Sequence, residues 1–276
     1  TVLDGVSLHR LADSGEPVYL ASTRQTRAIC NDPLLCGLAY TGALEQACAA
    51  ILAALRPHLD RRPCEHETVV LHVLRGGLNF GLRQALGDAW GWNCHSSAFI
   101  SAQRARVSSD PDQWHITESG YRKVHLPPRA FIILGDVVAT GTSLAHALRQ
   151  IVTLAEEAGG EISGMLFFTF GGHRAQDIVA DFAEECRVRF PGFAGVATVY
   201  LEGRFTVAVA DTPVSVKVDG TDLLRREAVL APAFVESQYA NPAHPIERCA
   251  IYDAGSRAFW LPEYLNDVLG YWYEVA

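Results

Sequence analysis

The stretch Phe131-Ile-Ile-Leu-Gly-Asp-Val-Val-Ala-Thr-Gly-Thr-Ser-Leu144 decides the fold class. With Ala130 it opens as an unbroken apolar run, with no alternation of polar and apolar positions. A strand of that kind must be covered on both faces, which is the habit of parallel sheets flanked by helices. Asp136 stands at its end, where a carboxylate can accept hydrogen bonds from a polyol. The residues Ala139, Thr140, Gly141, Thr142 and Ser143 then supply backbone N–H groups and three hydroxyls at the start of a helix running from Leu144 to Ala158. Exposed amides, the positive end of the helix dipole and small side chains together form a cradle for phosphate. A Walker-type loop does not fit, because five residues separate Gly135 from Gly141 and Thr142 stands where that motif carries lysine.

Outward from this segment, strand, turn and helix alternate. The pattern predicts a helix over 42–57 stopped by Pro57, a strand over Thr68–Leu74 running into Arg75-Gly76-Gly77, and a helix over Leu78–Trp90. Further strands are expected at Ser96–Ser101, Ile162–Phe170 and Val196–Leu201, with a helix near Arg174–Cys186. Residues 102–122 are polar and show little periodicity. The fold class is therefore α/β: a mostly parallel sheet flanked by helices, with ligands beyond the carboxyl ends of the strands. Past residue 202 the pattern changes. A short hairpin is expected over Thr206–Val218, Pro232, Pro242 and Pro245 interrupt the segment beyond it, and the last 30 residues are rich in aromatics. The expected division is a core over 1–201 with an N-terminal extension, and a C-terminal hood over 202–276 that recognises the acceptor.

Composition bounds the rest. The chain has 276 residues, 49% of them hydrophobic, which is enough for a deep core and rules out disorder for most of it. With 23 basic and 31 acidic residues the net charge is −8, so a broad basic face for nucleic acid is not expected and an anion must be held locally. The longest apolar runs noted, Ala130–Leu134 and Met165–Phe168, are strand-sized, so no membrane partner is expected. Seven scattered cysteines without a C-x-x-C pair argue against a disulfide framework or a cysteine zinc site; with no secretory signal in view, a cytoplasmic setting is expected. The histidines show no metal-binding spacing, so His72 and His146 read as packed side chains.

The segment 131–144 resembles the binding signature for 5-phosphoribosyl-1-pyrophosphate (PRPP) in the type I phosphoribosyltransferases. Upstream, Val73-Leu-Arg-Gly-Gly-Leu-Asn-Phe80 resembles that family's pyrophosphate loop; Arg-Gly-Gly alone is a plain turn, but its order and distance before the first motif strengthen it. The resemblance covers about residues 40–201. It implies transfer of a 5-phosphoribosyl group from PRPP to a small-molecule acceptor. Mg²⁺ would arrive on PRPP, with no direct protein ligand, and the assembly would be a homodimer or higher homo-oligomer. It implies that Asp136 holds a ribose hydroxyl, Ala139–Ser143 the 5-phosphate, and Arg75, Gly76 and Gly77 the pyrophosphate, with Asp136 and Arg75 the catalytic pair. Arg104, Arg106, Trp114 and Lys123 fall where the family keeps a loop that closes over PRPP.

A weaker similarity links Tyr252-Asp-Ala-Gly-Ser-Arg-Ala-Phe259 to an element of the uracil phosphoribosyltransferases that recognises the pyrimidine. By it Tyr252, Asp253, Ala254 and Gly255 would bind the acceptor; a helix-start cap is the alternative. Two departures stand out. Gly135 occupies the place of the first of two adjacent acids, and Ala139 the place of an aspartate that faces the base in purine salvage members. A pyrimidine-like heterocycle is the leading acceptor. A specialised secondary-metabolite acceptor and a non-catalytic PRPP or nucleotide sensor remain the alternatives.

Overall fold

The computed structural model describes residues 2–3, 5–12, 15–59, 62–107, 110–118, 120–240, 248 and 254–276. In chain order they form β1 (Val2–Leu3), β2 (Val6–Arg10), β3 (Val18–Ser22), α1 (Arg24–Asn31), α2 (Gly37–Leu55), β4 (Thr68–Leu74), α3 (Leu82–Trp90) and β5 (Ser96–Ser101). Next come β6 (Gln103–Val107), β7 (Asp110–Glu118), β8 (Arg122–Lys123), β9 (Arg129–Val138), α4 (Thr142–Glu157), β10 (Glu161–Gly172) and α5 (His173–Arg189). The chain closes with β11 (Val196–Val207), β12 (Leu223–Leu230), α6 (Pro232–Ala240), α7 (Ala254–Phe259) and α8 (Leu261–Val275).

Ten strands make one sheet in the order β1-β2-β3-β11-β10-β9-β4-β5-β8, with β12 also paired to β11. From β3 through β11, β10, β9 and β4 to β5 every pairing is parallel. The antiparallel pairs lie at the margins. The apolar strand behaves as its composition requires: Ile133 packs on one face with Leu44, Ile51, Leu52 and Leu86 from α2 and α3. Ile132 and Leu134 pack on the other face with Leu144, Leu148 and Ile151 from α4 and Ile178 and Phe182 from α5. Each such side chain, fully removed from water, contributes about 1.5–3 kcal/mol of transfer free energy.

Several boundaries differ from expectation, each for a physical reason. The helix expected over Leu78–Trp90 begins at Leu82; residues Gly76–Phe80 form a 3-10 turn, and Gly81 at φ +55° breaks the two apart. The hairpin expected over Thr206–Val218 is absent: β11 runs on to Val207 and pairs with β12 through Val207↔Leu223 and Gly203↔Leu230. Residues within 102–122 form the antiparallel ribbon β6–β7, a second sheet in contact with α4. The N-terminal segment adds β1, β2 and β3 to the sheet edge.

The expectation that apolar stretches stay strand-sized fails at α2. Gly37–His58 is 22 residues long with a mean hydropathy of 1.4 over its most apolar window, long and apolar enough to cross a membrane. Here Leu44, Cys48, Ile51, Leu52 and Leu55 lay it on the sheet as a core helix. The six cysteines among the described residues are all free thiols.

The C-terminal helices are fastened by one buried cation. Arg257 donates through Nε to Leu35 O at 2.8 Å and through Nη2 to Asp32 O at 2.8 Å and Ile29 O at 3.2 Å. Its guanidinium lies 4.7 Å from the ring centre of Tyr40 and 5.7 Å from that of Tyr264. The carbonyls at the end of α1 and in its connection to α2 thereby gain a cationic donor, which is favourable at the C-terminus of α1.

Candidate active site

In the order of the parallel core, β4 and β9 are neighbours whose following connections run to opposite sides: β4 leads on to β5, β9 to β10. A crevice outside the carboxyl ends of the strands opens at such a reversal. Here it is a pocket of about 130 Å³ whose walls include Leu74, Gly76, Ala102, Asp136, Ala139, Thr142 and Ser143. Asp136 is its one carboxylate among the lining residues. Its Oδ1 accepts the N–H of Val137 at 2.9 Å, which fixes the side chain at the strand end.

On the β9 side, Gly141 starts α4 at φ +77°. A Cβ there would fall 2.1 Å from Ile178 Cδ1, a side-chain tip that can turn aside, so it is the backbone angle that favours glycine. No side chain caps this end of α4, which leaves the first-turn N–H groups to other partners. The hydroxyls of Thr140 and Thr142 stand 3.3 Å apart. Ser143 Oγ donates to Ala102 O at 2.8 Å, tying the loop to the end of β5 while keeping its lone pairs for a further donor.

On the β4 side, the Leu74–Arg75 peptide is cis. The chain then passes beside Asp136, since a Cβ on Gly76 would lie 3.6 Å from its Oδ1. Gly77 is buried against β9, where a Cβ would sit 3.1 Å from Gly135 O. Arg75 is exposed at the rim, its charge balanced by no ion pair among the described residues. Behind the turn, His72 is 4% exposed and stacks on Phe99 with ring centres 5.0 Å apart. Burial pulls its pKa below the ordinary histidine value, so it stays a neutral packed ring.

The structure thus gathers Gly76, Asp136, Ala139, Gly141, Thr142 and Ser143 around one pocket, with Thr140 between two of its lining residues, Gly77 behind it and Arg75 at its rim. Arg104 stands opposite Ile116 in the ribbon that leaves the carboxyl end of β5. Tyr252 and Asp253 lie outside the described residues. Ala254 and Gly255 begin α7, which packs on α2 and on the turn 76–80, beside the pocket's β4 wall. Arg257, in the same motif, is the buried clamp already described.

Sequence reasoning placed Phe80 at the end of the 73–80 segment but gave it no role. It is fully buried, and its ring fills the space in front of Gly135, where a Cβ would fall 2.3 Å from its Cγ. The glycine at position 135 therefore has a structural counterpart: an aromatic ring occupies the space a side chain there would take. The only hint in the sequence is the glycine itself.

No protein-family model and no curated protein sequence matches this chain. Among solved structures it is similar to an adenine phosphoribosyl transferase from Trypanosoma brucei in complex with AMP, pyrophosphate and ribose-5-phosphate. The identity there is 11% over 83% of this chain and 99% of that chain, with a TM-score of 0.42. A hypoxanthine phosphoribosyltransferase from Staphylococcus aureus matches at 14% identity over 63% of this chain and 79% of that one, with a TM-score of 0.33. A hypoxanthine-guanine phosphoribosyl transferase from L. donovani matches at 13% identity over 70% and 95%, with a TM-score of 0.35.

Proposed function

We propose that the chain is a PRPP-dependent phosphoribosyltransferase whose reaction takes place in the pocket between the β4 and β9 turns. The observation that carries the reading is the meeting of two glycine-bearing turns at the sheet's reversal point with one carboxylate between them. In this reading the first-turn amides of α4 and the hydroxyls of Thr140 and Thr142 hold the 5-phosphate, with the helix dipole adding favourable charge. Asp136 accepts hydrogen bonds from the ribose hydroxyls and keeps the anomeric carbon in place. The amides of Gly76 and Gly77 and the Arg75 guanidinium offset the charge that grows on the departing diphosphate.

Mg²⁺, when bound, adds cationic stabilisation of that diphosphate. Asp136 is the pocket's single acid, a donor set that suits an ion brought in on the substrate phosphates rather than caged by protein. The bond from the anomeric carbon to the diphosphate oxygen breaks with oxocarbenium character, and no nucleophilic side chain takes part. The acceptor enters from the side of α7, and a pyrimidine-like heterocycle is the class favoured by the 252–259 motif. A cytoplasmic homo-oligomer completes the proposal.

A second reading, a binder of PRPP without turnover, is favoured by one observation: Phe80 fills the space of a second acid. One experiment separates the two. PRPP with Mg²⁺ is expected to raise the melting temperature, by the equivalent of about 2.7 kcal/mol at a hundredfold excess over Kd. Pyrophosphate release in a screen of nitrogen heterocycles identifies the enzyme, and stabilisation without release identifies the sensor. No thermal shift at saturating PRPP removes both.

A further inference from the structure

We infer that Phe80 is a positioning residue that sets the pyrophosphate turn against the ribose turn; the inference rests on the phosphoribosyl-transfer reading and deepens it. Phe80 closes the 3-10 turn Gly76–Phe80 and is fully buried. A Cβ on Gly135 would meet its Cγ at 2.3 Å, its Cδ1 at 2.5 Å and its Cβ at 2.8 Å, so the ring lies directly on the backbone of β9. From behind, Phe170 supports it with ring centres 6.4 Å apart. At the other end of the same turn, Gly77 is packed so closely that a Cβ would come 3.1 Å from Gly135 O and 3.5 Å from the backbone of His72.

Gly135 is thus gripped twice by one short turn, by a ring and by a bare backbone. The next residue along β9 is Asp136, beside which Gly76 passes. On the β9 side this grip sets the offset between the amides of the turn and the carboxylate, while the buried Asn79 of the same turn, hydrogen-bonded with Tyr40, anchors it to α2. Phe80 touches no substrate. It acts through Gly135, and what it controls is the separation of the diphosphate site from the ribose site.

The test uses the full chain, with inorganic pyrophosphate plus Mg²⁺ and ribose 5-phosphate as separate probes in calorimetric titration. Phe80→Ala removes the ring, Gly135→Ala pushes a methyl into it, and the double variant places that methyl in the space that Cγ and Cδ1 have left. Each single variant is expected to weaken pyrophosphate binding by about tenfold or more, as a shift of an ångström at a pre-organised site does. Ribose 5-phosphate binding stays within about twofold, and the double variant recovers most of the loss. Unchanged pyrophosphate affinity in the singles, equal loss for both probes, or no recovery in the double variant overturns the inference. If one single variant fails to fold, the other and the double variant decide. Failure of the unaltered protein to bind either probe overturns the phosphoribosyl-transfer reading itself, a result distinct from any of these.

Discussion

Glu202 offers a prediction whose size can be worked from its surroundings. It directly follows the part of β11 that pairs with β3, at φ +65°, and is fully buried. Its Oε1 accepts the N–H of Thr23 at 3.2 Å and the hydroxyl of Thr26, so the side chain sits over the first turn of α1. Burial outweighs these hydrogen bonds and the nearby Arg27 charge, and raises its pKa from 4.5 to about 7. Proton counts set the direction of the effect. Between those two values the folded chain holds a proton that the unfolded chain has released, so stability falls as pH rises and the loss is complete above about 7. A tenfold change in an equilibrium is worth about 1.4 kcal/mol, so the interval from 4.5 to about 7 amounts to about 3 kcal/mol.

Glu202→Gln mimics the protonated form and cannot ionise. Urea unfolding of both proteins at a series of pH values from about 5 to about 8 is the assay. The variant is expected to gain on the unaltered protein steadily as pH rises, ending about 2–3 kcal/mol more stable relative to their difference at the acid end. Parallel stability curves for the two proteins would refute the assignment of this buried proton to Glu202.

Three further outcomes are expected. Asp136→Asn keeps the Val137 contact and the fold but weakens PRPP binding tenfold to a hundredfold, the worth of about 1.5–3 kcal/mol for hydrogen bonds to a charged acceptor; calorimetry with PRPP and Mg²⁺ checks it. Gly141→Ala must adopt a positive φ and push the Ile178 side-chain tip aside, so it loses about 1–2 kcal/mol in chemical denaturation. Arg257→Met keeps an apolar stem but strands three backbone carbonyls, and is expected to cost about 2–4 kcal/mol, read as a lower urea midpoint.

The parallel core was legible because burial on both faces leaves no room for polar alternation: Ile132, Ile133 and Leu134 each face a helix layer and each must be apolar. The turn from β9 into α4 was legible because its requirements are local; the φ of Gly141 and the hydroxyls around it are properties of five consecutive residues. Strand β12 was not, because it carries Arg225 and Arg226 where a surface loop would. Arg225 is in fact 7% exposed, donating to Cys30 O at 2.7 Å and Asn31 Oδ1 at 3.1 Å, partners that no sequence pattern points to. The place of Phe80 was hidden for the same reason: its partner Gly135 belongs to a different strand, and a missing side chain leaves no trace of what took its space.

The clamp made by Arg257 also bears on how the protein is made. Its donor group and the Leu35 carbonyl are 222 positions apart in the chain, and Tyr264 hydroxyl reaches Pro33 O across 231. During synthesis the connection between α1 and α2 therefore waits, with carbonyls open to water or to a chaperone, until Arg257 has left the ribosome. Folding of the N-terminal helices cannot be completed as they emerge, and sequence-distant closure of this kind is slow.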